Sequence, residues 1–240
     1  PVVSSAASDV YKRQLLTIED SSVVQEVFLL DLKQGSLKPI GRTSNVPKDR
    51  LHKMVSKKFT TRDGESIYGY LTKPKGKVER LIVYIHGGPY GIRDFDSYDF
   101  SEQYLASKGA AVLKVNYRGS GGYGTNFMED AYKEWGGRLL NDIADATQAV
   151  QKELGIGREK TCAFGASYGG YAALAMAYKY SELYECVAGG MGVYDMQILR
   201  DGTDDSIIQD RMIMKRWQKN FGVIIKLSLI HISEPTRPNT

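Results

Sequence analysis

The chain has 240 residues, 42% of them apolar and 25% charged, and 32 basic against 28 acidic side chains leave a net charge of +4. That composition is ordinary for a globular protein, the length suffices for one sizeable core or a core plus a small appendage, and the interspersed charges leave no footprint for nucleic acid or an anionic membrane surface. No apolar run approaches the ~18 residues a bilayer span needs. Two cysteines, Cys162 and Cys186, are too few for a disulfide framework and lie in apolar, strand-like runs, so they read as buried thiols, and neither a metal site nor a cofactor is expected.

The first residues, "PVVSSAASDVYKRQ", do not make a secretory signal, because the apolar stretch is short and the basic residues come last. This string and the closing "LSLIHISEPTRPNT" resemble translated sequencing adaptor. On that reading residues 1–14 and 227–240 are non-native tails, and localisation and oligomeric state stay open.

Residues 23–40 predict two strands joined by a turn at Lys33-Gln34-Gly35, and a second hairpin follows around Arg62-Asp63-Gly64, with Ile67, Tyr68 and Tyr70 suited to a strand. These are expected to be edge or accessory strands, ended by Pro74 and Gly76. From residue 81 "LIVYIH" is a continuous apolar run, as expected of a strand covered on both faces. "FSEQYLASKG" follows at helical spacing, with Phe100, Tyr104 and Leu105 as its apolar positions, and then the strand "AAVLKVN". Further on, Leu140, Ile143, Ala144, Thr147 and Val150 line one face of a helix. "EKTCAFGA", "GGYAALAMAYKY" and "LYECVAGGMGV" continue as strand, helix and strand. Such alternation implies a mostly parallel sheet with helices on both faces, whose chemistry gathers at the carboxyl ends of the strands, where all three glycine loops fall.

One of those loops, Gly165-Ala166-Ser167-Tyr168-Gly169, fits G-x-S-x-G between a strand and a helix, the placement of a nucleophile elbow. The turn is sharp, so the residues two away from the serine must lack bulk, and the helix start offers amides and a positive dipole end to a developing oxyanion. The plainer reading is a serine that only caps the helix. In "IHGGPYG", Gly87 and Gly88 let the backbone approach a substrate carbonyl, which makes Gly88 N–H and Tyr168 N–H the expected oxyanion donors. His86 precedes the nucleophile, against the order Ser, acid, His, and is expected to orient its own loop instead.

The run from Gly119 to Gly124 matches G-x-G-x-x-G and raises dinucleotide binding. Against it stand Tyr117 and Arg118 between strand and glycines, no helix expected directly after Gly124, and Asp142 in a helical segment rather than at a strand end.

Taken together, "HGGPYG", "NYRGSGGYG" and "GASYGGYAALA" resemble the catalytic domain of prolyl oligopeptidase family serine peptidases, nearest the dipeptidyl-peptidase and acylaminoacyl-peptidase branches. The resemblance covers roughly residues 54–226. It implies an α/β-hydrolase fold incomplete at its C-terminus over residues 51–226, with residues 15–50 as a β-hairpin remnant of the last propeller blade. It also implies a peptide substrate, Ser167 as nucleophile, and Gly88 with Tyr168 as the oxyanion hole, supported by His86, Gly87, Gly165 and Gly169. The family's Asp and His come later in sequence. Here Asp195, Asp201, Asp204, Asp205 and Asp210 lie in polar, helix-prone sequence, and His231, in the adaptor-like tail, is rejected as base. A serine without a base is a weak nucleophile. The expectation is therefore a fragment of a serine peptidase, with a carboxylesterase or lipase, or a non-catalytic interaction module, as alternatives.

Overall fold

The computed structural model describes residues 2–9 and 12–194. The late acids and His231 lie outside the described residues. Two sheets make up the fold. The first is a four-stranded antiparallel meander in the order β1 (Val2–Asp9), β2 (Arg13–Asp20), β3 (Val23–Asp31) and β4 (Ser36–Arg42). The expected hairpin is its second half, and its turn is held by the Asp31 carboxylate accepting from the amides of Lys33 and Gln34.

The second sheet has six strands: β5 (Met54–Thr60), β6 (Ser66–Thr72), β7 (Arg80–Ile85), β8 (Ala110–Asn116), β9 (Thr161–Ala166) and β10 (Cys186–Gly190). Their spatial order is β10-β9-β7-β8-β6-β5. The four consecutive strands from β10 to β8 pair in parallel, and the β5–β6 hairpin joins the same sheet as its antiparallel edge.

Helices α3 (Arg138–Leu154) and α4 (Tyr168–Lys179) cover one face of this sheet. There Leu81, Val83, Ile85, Leu113, Val115 and Ala163 form a continuous core with Leu140, Ile143, Ala144 and Val150 of α3, as the helical spacing requires. Thr147, the polar member of that stripe, is satisfied by the Ile143 carbonyl and the Tyr184 hydroxyl.

The other face departs from expectation. On β7, Ile82 and Tyr84 are only half-buried, so the apolar run is covered on one face among the described residues. Helix α1 (Phe100–Ser107) packs against β8 on this side, but with the reverse of the expected face. Phe100 and Tyr104 are 72% and 53% exposed, whereas Glu102, Gln103 and Ala106 are buried. The reason is the cation on the strand beneath. Lys114 projects from β8 to Glu102 at 2.8 Å and Asp99 at 3.1 Å, and Thr72 donates to Glu102 as well. Burial alone would lower the Lys114 pKa, but the surrounding carboxylates of Glu102, Asp94 and Asp99 raise it. A buried charge needs its partner more than an apolar side chain needs cover, so α1 turns its acids inward.

The cysteines also differ from the expected buried thiols. Cys162 and Cys186 occupy directly paired positions on β9 and β10 and are joined as a disulfide, with Cys186 exposed. Neighbouring parallel strands bring two in-register β-carbons close, a proximity that no sequence spacing announces.

Two outcomes follow. Lys114→Met strands Glu102 without its cation and should cost about 3 kcal/mol in urea unfolding, most of it recovered when Glu102→Leu is added. Reducing the disulfide, which closes a loop across a sequence separation of 24, should cost about 3 kcal/mol. An unchanged melting curve with both thiols shown to be free would contradict it.

Candidate active site

Ser167 occupies the junction where β9 ends and α4 begins, with φ +58° and ψ −125°. A non-glycine residue in this region is strained, at a cost of order 1–3 kcal/mol, and persists only where packing over-determines it. The packing here is between backbones. A methyl group at Gly169 would overlap the Ile85 carbonyl, and one at Gly165 would meet both the Gly169 and Ile85 carbonyls. Behind the turn, Ser167 N–H donates to the Gly190 carbonyl at 3.0 Å, which ties the bend to β10.

The Ser167 hydroxyl makes no capping bond to α4 although the residue occupies the cap position, and the residue is exposed. The capping role is therefore vacant. Across from it runs the loop after β7: a Cβ added to Gly87 would lie 3.4 Å from Ser167 Cβ and 3.9 Å from its Oγ. Gly88 follows at φ +121° and is joined to Pro89 through a cis peptide bond. Ser167 and Gly87 thus lie side by side, Gly88 is the next residue of that loop, and Tyr168 supplies the first amide of α4, where helix amides lack intrahelical partners. The Tyr168 side chain points away into the core and donates to the Trp135 carbonyl.

His86 does not face the serine through a free nitrogen. Its ring stacks on Tyr117, with centroids 4.3 Å apart. Nδ1 lies 2.7 Å from the Gly87 carbonyl oxygen and Nε2 lies 3.0 Å from Ser120 Oγ. Only a protonated Nδ1 can bond a carbonyl oxygen, so the ring is the Nδ1–H tautomer and Nε2 accepts from Ser120. Burial pushes its pKa down to about 4, against the opposing bond to Gly87.

The segment 117–124 underlies this loop. Arg118 is 2% exposed and forks onto Asp142, itself fully buried on α3, and onto Asp63 in the β5–β6 turn. The Arg118 hydrogen bonds hold the Asp63 carboxyl down at about 2. Sequence reading placed Asp142 on a helix but missed its role, because a buried acid on a helix face shows itself only beside its cation. A short helix, α2 (Thr125–Glu129), does open directly after Gly124, contrary to expectation. With one turn and a strand separated from the glycines by Tyr117 and Arg118, it still lacks the strand-to-helix hand-over of a dinucleotide site.

The neutral His86 has a measurable signature. Its ¹⁵N ring resonances should report the Nδ1–H tautomer at pH 7 and no titration above about pH 5. Because the unfolded ring binds its proton near 6.5 and the folded one near 4, His86 contributes stability fully above pH 6.5. That contribution is lost as pH falls toward 4. Titration of the ring near 6.5 in the folded chain would contradict this environment.

Comparison with known proteins agrees with the geometry. The prolyl oligopeptidase family model matches residues 96–222, just over half of the chain. Dipeptidyl aminopeptidase BIII of Pseudoxanthomonas mexicana is 33% identical over 151 residues, which cover 59% of this chain and 22% of that protein. Dipeptidyl-peptidase 5 of Porphyromonas gingivalis is 23% identical over 187 residues, covering 75% and 27% of the two chains. Among solved structures, a puromycin hydrolase superposes with a TM-score of 0.70 at 28% identity, over 80% of this chain and 30% of its own. An acylaminoacyl peptidase bound to a chloromethyl ketone superposes at 0.72 and 22% identity, over 90% and 36%, a likeness of fold. The chain spans well under half the length of these relatives, and its six-stranded sheet with flanking helices is the α/β-hydrolase fold of their catalytic domains. The chain belongs to the prolyl oligopeptidase family.

Proposed function

We propose that Ser167 is the nucleophile of a serine peptidase that cleaves short peptides through an acyl-enzyme. The observation that carries this reading is the strained exposed serine at the strand–helix junction, its hydroxyl not spent on capping and set beside Gly87. Attack by Oγ on a peptide carbonyl places negative charge on the carbonyl oxygen, and the amides of Gly88 and Tyr168 receive it. The positive end of the α4 dipole adds to that stabilisation. The proton given up by Oγ passes through a general base to the leaving nitrogen, the C–N bond breaks and the amine departs to leave an ester on Ser167. Water, giving its proton to the same base, then hydrolyses that ester and restores the hydroxyl.

The base and the acid that complete such a triad come from sequence beyond the described residues. His86 is not that base, since both of its ring nitrogens are engaged. Because the chain covers only 22% and 30% of two of its relatives, the activity is assigned to a longer protein in which this segment forms part of the catalytic domain, and negligible amide hydrolysis is the expected outcome for the 240-residue chain alone. The dipeptidyl-peptidase names of the relatives favour an N-terminal dipeptide as the released group.

The test is hydrolysis of dipeptidyl anilides by the full-length protein. Ser167→Ala should lower kcat at least about 10³-fold while leaving the fold intact. Anilide turnover that survives the substitution would overturn the assignment. Turnover of simple esters with no detectable amide cleavage would replace the peptidase by an esterase of the same fold.

A further inference from the structure

The run Gly119–Gly124 is left unused by the reading above, and its packing gives it a purpose. We propose that Ser120 is a positioning residue for the oxyanion loop, acting through His86, and that the glycines around it form the seat on which that loop is shaped. The proposal rests on Ser167 and Gly88 acting as described under the proposed function.

The seat is built from backbone contacts. Gly91 N–H donates to the Gly119 carbonyl at 2.9 Å, and Gly121 N–H donates to the Ile92 carbonyl at 3.1 Å. A methyl at Gly119 would crowd the Pro89 carbonyl at 3.3 Å, and one at Gly121 would overlap the Gly91 carbonyl. The loop backbone comes this near only because positions 119 and 121 carry no Cβ, and that closeness, rather than a phosphate, accounts for these two glycines. The seat itself is fixed from below by Arg118, held between Asp142 and Asp63.

Ser120 is fully buried, and its hydroxyl donates to His86 Nε2 at 3.0 Å. That bond does two things to the imidazole: it keeps the proton on Nδ1 and, with the Tyr117 stack, fixes the ring plane. Nδ1–H in turn holds the Gly87 carbonyl at 2.7 Å, with the Tyr117 hydroxyl beside it at 3.4 Å. The Gly87 carbonyl and the Gly88 N–H belong to one planar trans peptide unit and point in opposite directions. Fixing the carbonyl therefore aims the amide. The path runs from Ser120 through the His86 ring and the Gly87 oxygen to the donor that meets the oxyanion, and no member but Gly88 touches substrate.

The prediction concerns the full-length protein with a dipeptidyl anilide. Misaiming one oxyanion donor forfeits part of the 10²–10³-fold that losing it costs. Ser120→Ala should therefore lower kcat by about tenfold while KM stays within about twofold. His86→Asn, whose amide reproduces the Nδ1 side and abandons Nε2, breaks the same bond from its other end. It should give a similar loss, and the double variant should lose no more than either single one. In the 240-residue chain, Ser120→Ala should shift the His86 ¹⁵N pattern away from pure Nδ1–H. An unchanged kcat, or a rise in KM alone, would overturn the role, as would failure of both variants to fold, since the bond would then hold the domain rather than the loop. Activity persisting in Ser167→Ala would end the nucleophile assignment and this role with it. Full loss in Ser167→Ala beside wild-type kcat in both positioning variants would end this role alone.

Discussion

A single main-chain oxygen, that of Ile85 at the end of β7, constrains the site. Gly165 and Gly169 both press against it, one from the end of strand β9 and the other from the first turn of α4. Backbone cannot rotate aside as a side chain can, so the bend between these two glycines has one solution, with Ser167 in the left-handed region. The same rule repeats next door, where Gly170 abuts the Gly190 carbonyl and Gly121 abuts that of Gly91. The site is a meeting of four loop backbones, and the strain in the serine is stored by that packing rather than by any side chain.

Two buried cations then keep the loops in place. Lys114, near the end of β8, holds α1, and Arg118, four residues further on, holds α3 and the β5–β6 turn. Buried ion pairs add little net stability compared with apolar replacements, and their value lies in orientation. A leucine at position 118 could pack against α3 in many rotations, whereas a guanidinium forked between Asp142 and Asp63 admits one. That single orientation sets the height of the segment 119–122 beneath the loop from His86 to Ile92.

The sequence revealed most where a residue type answers to backbone geometry. The elbow, the glycine pair after β7 and the strand–helix alternation were readable because only glycine fits those turns and because α3 repeats its apolar face every 3.6 residues. It revealed least where two distant residues answer to each other. The α1 register was misjudged because Phe100 and Tyr104 look like a core face until Lys114 is known to lie beneath Glu102. The disulfide was missed because strand order, not spacing, sets Cys162 opposite Cys186. The half-covered face of β7 follows the same logic, since an apolar run states a preference for burial and not what is available to bury it.

A buried turn of the first sheet docks on the second, and the join reaches the loop beside Ser167. Ser21, at the tip between β2 and β3, is 1% exposed and accepts from the Met54 amide through its hydroxyl. Its carbonyl takes a bond from the Gln103 side chain, which also bridges both main-chain groups of His52. Its amide donates to Asp96 at 2.9 Å. Asp96 belongs to the same connection between β7 and α1 that begins with His86 and Gly87, and Asn116 pins that connection two residues earlier by bonding both main-chain groups of Asp94. The connection from His86 to Asp96 is thus gripped near its start by the glycine seat and at its end by the first sheet. Removing that sheet, and Ser21 with it, would take a partner from Asp96, Gln103 and the Met54 amide together, so the antiparallel meander is part of what gives the loop its shape and not a detachable appendage.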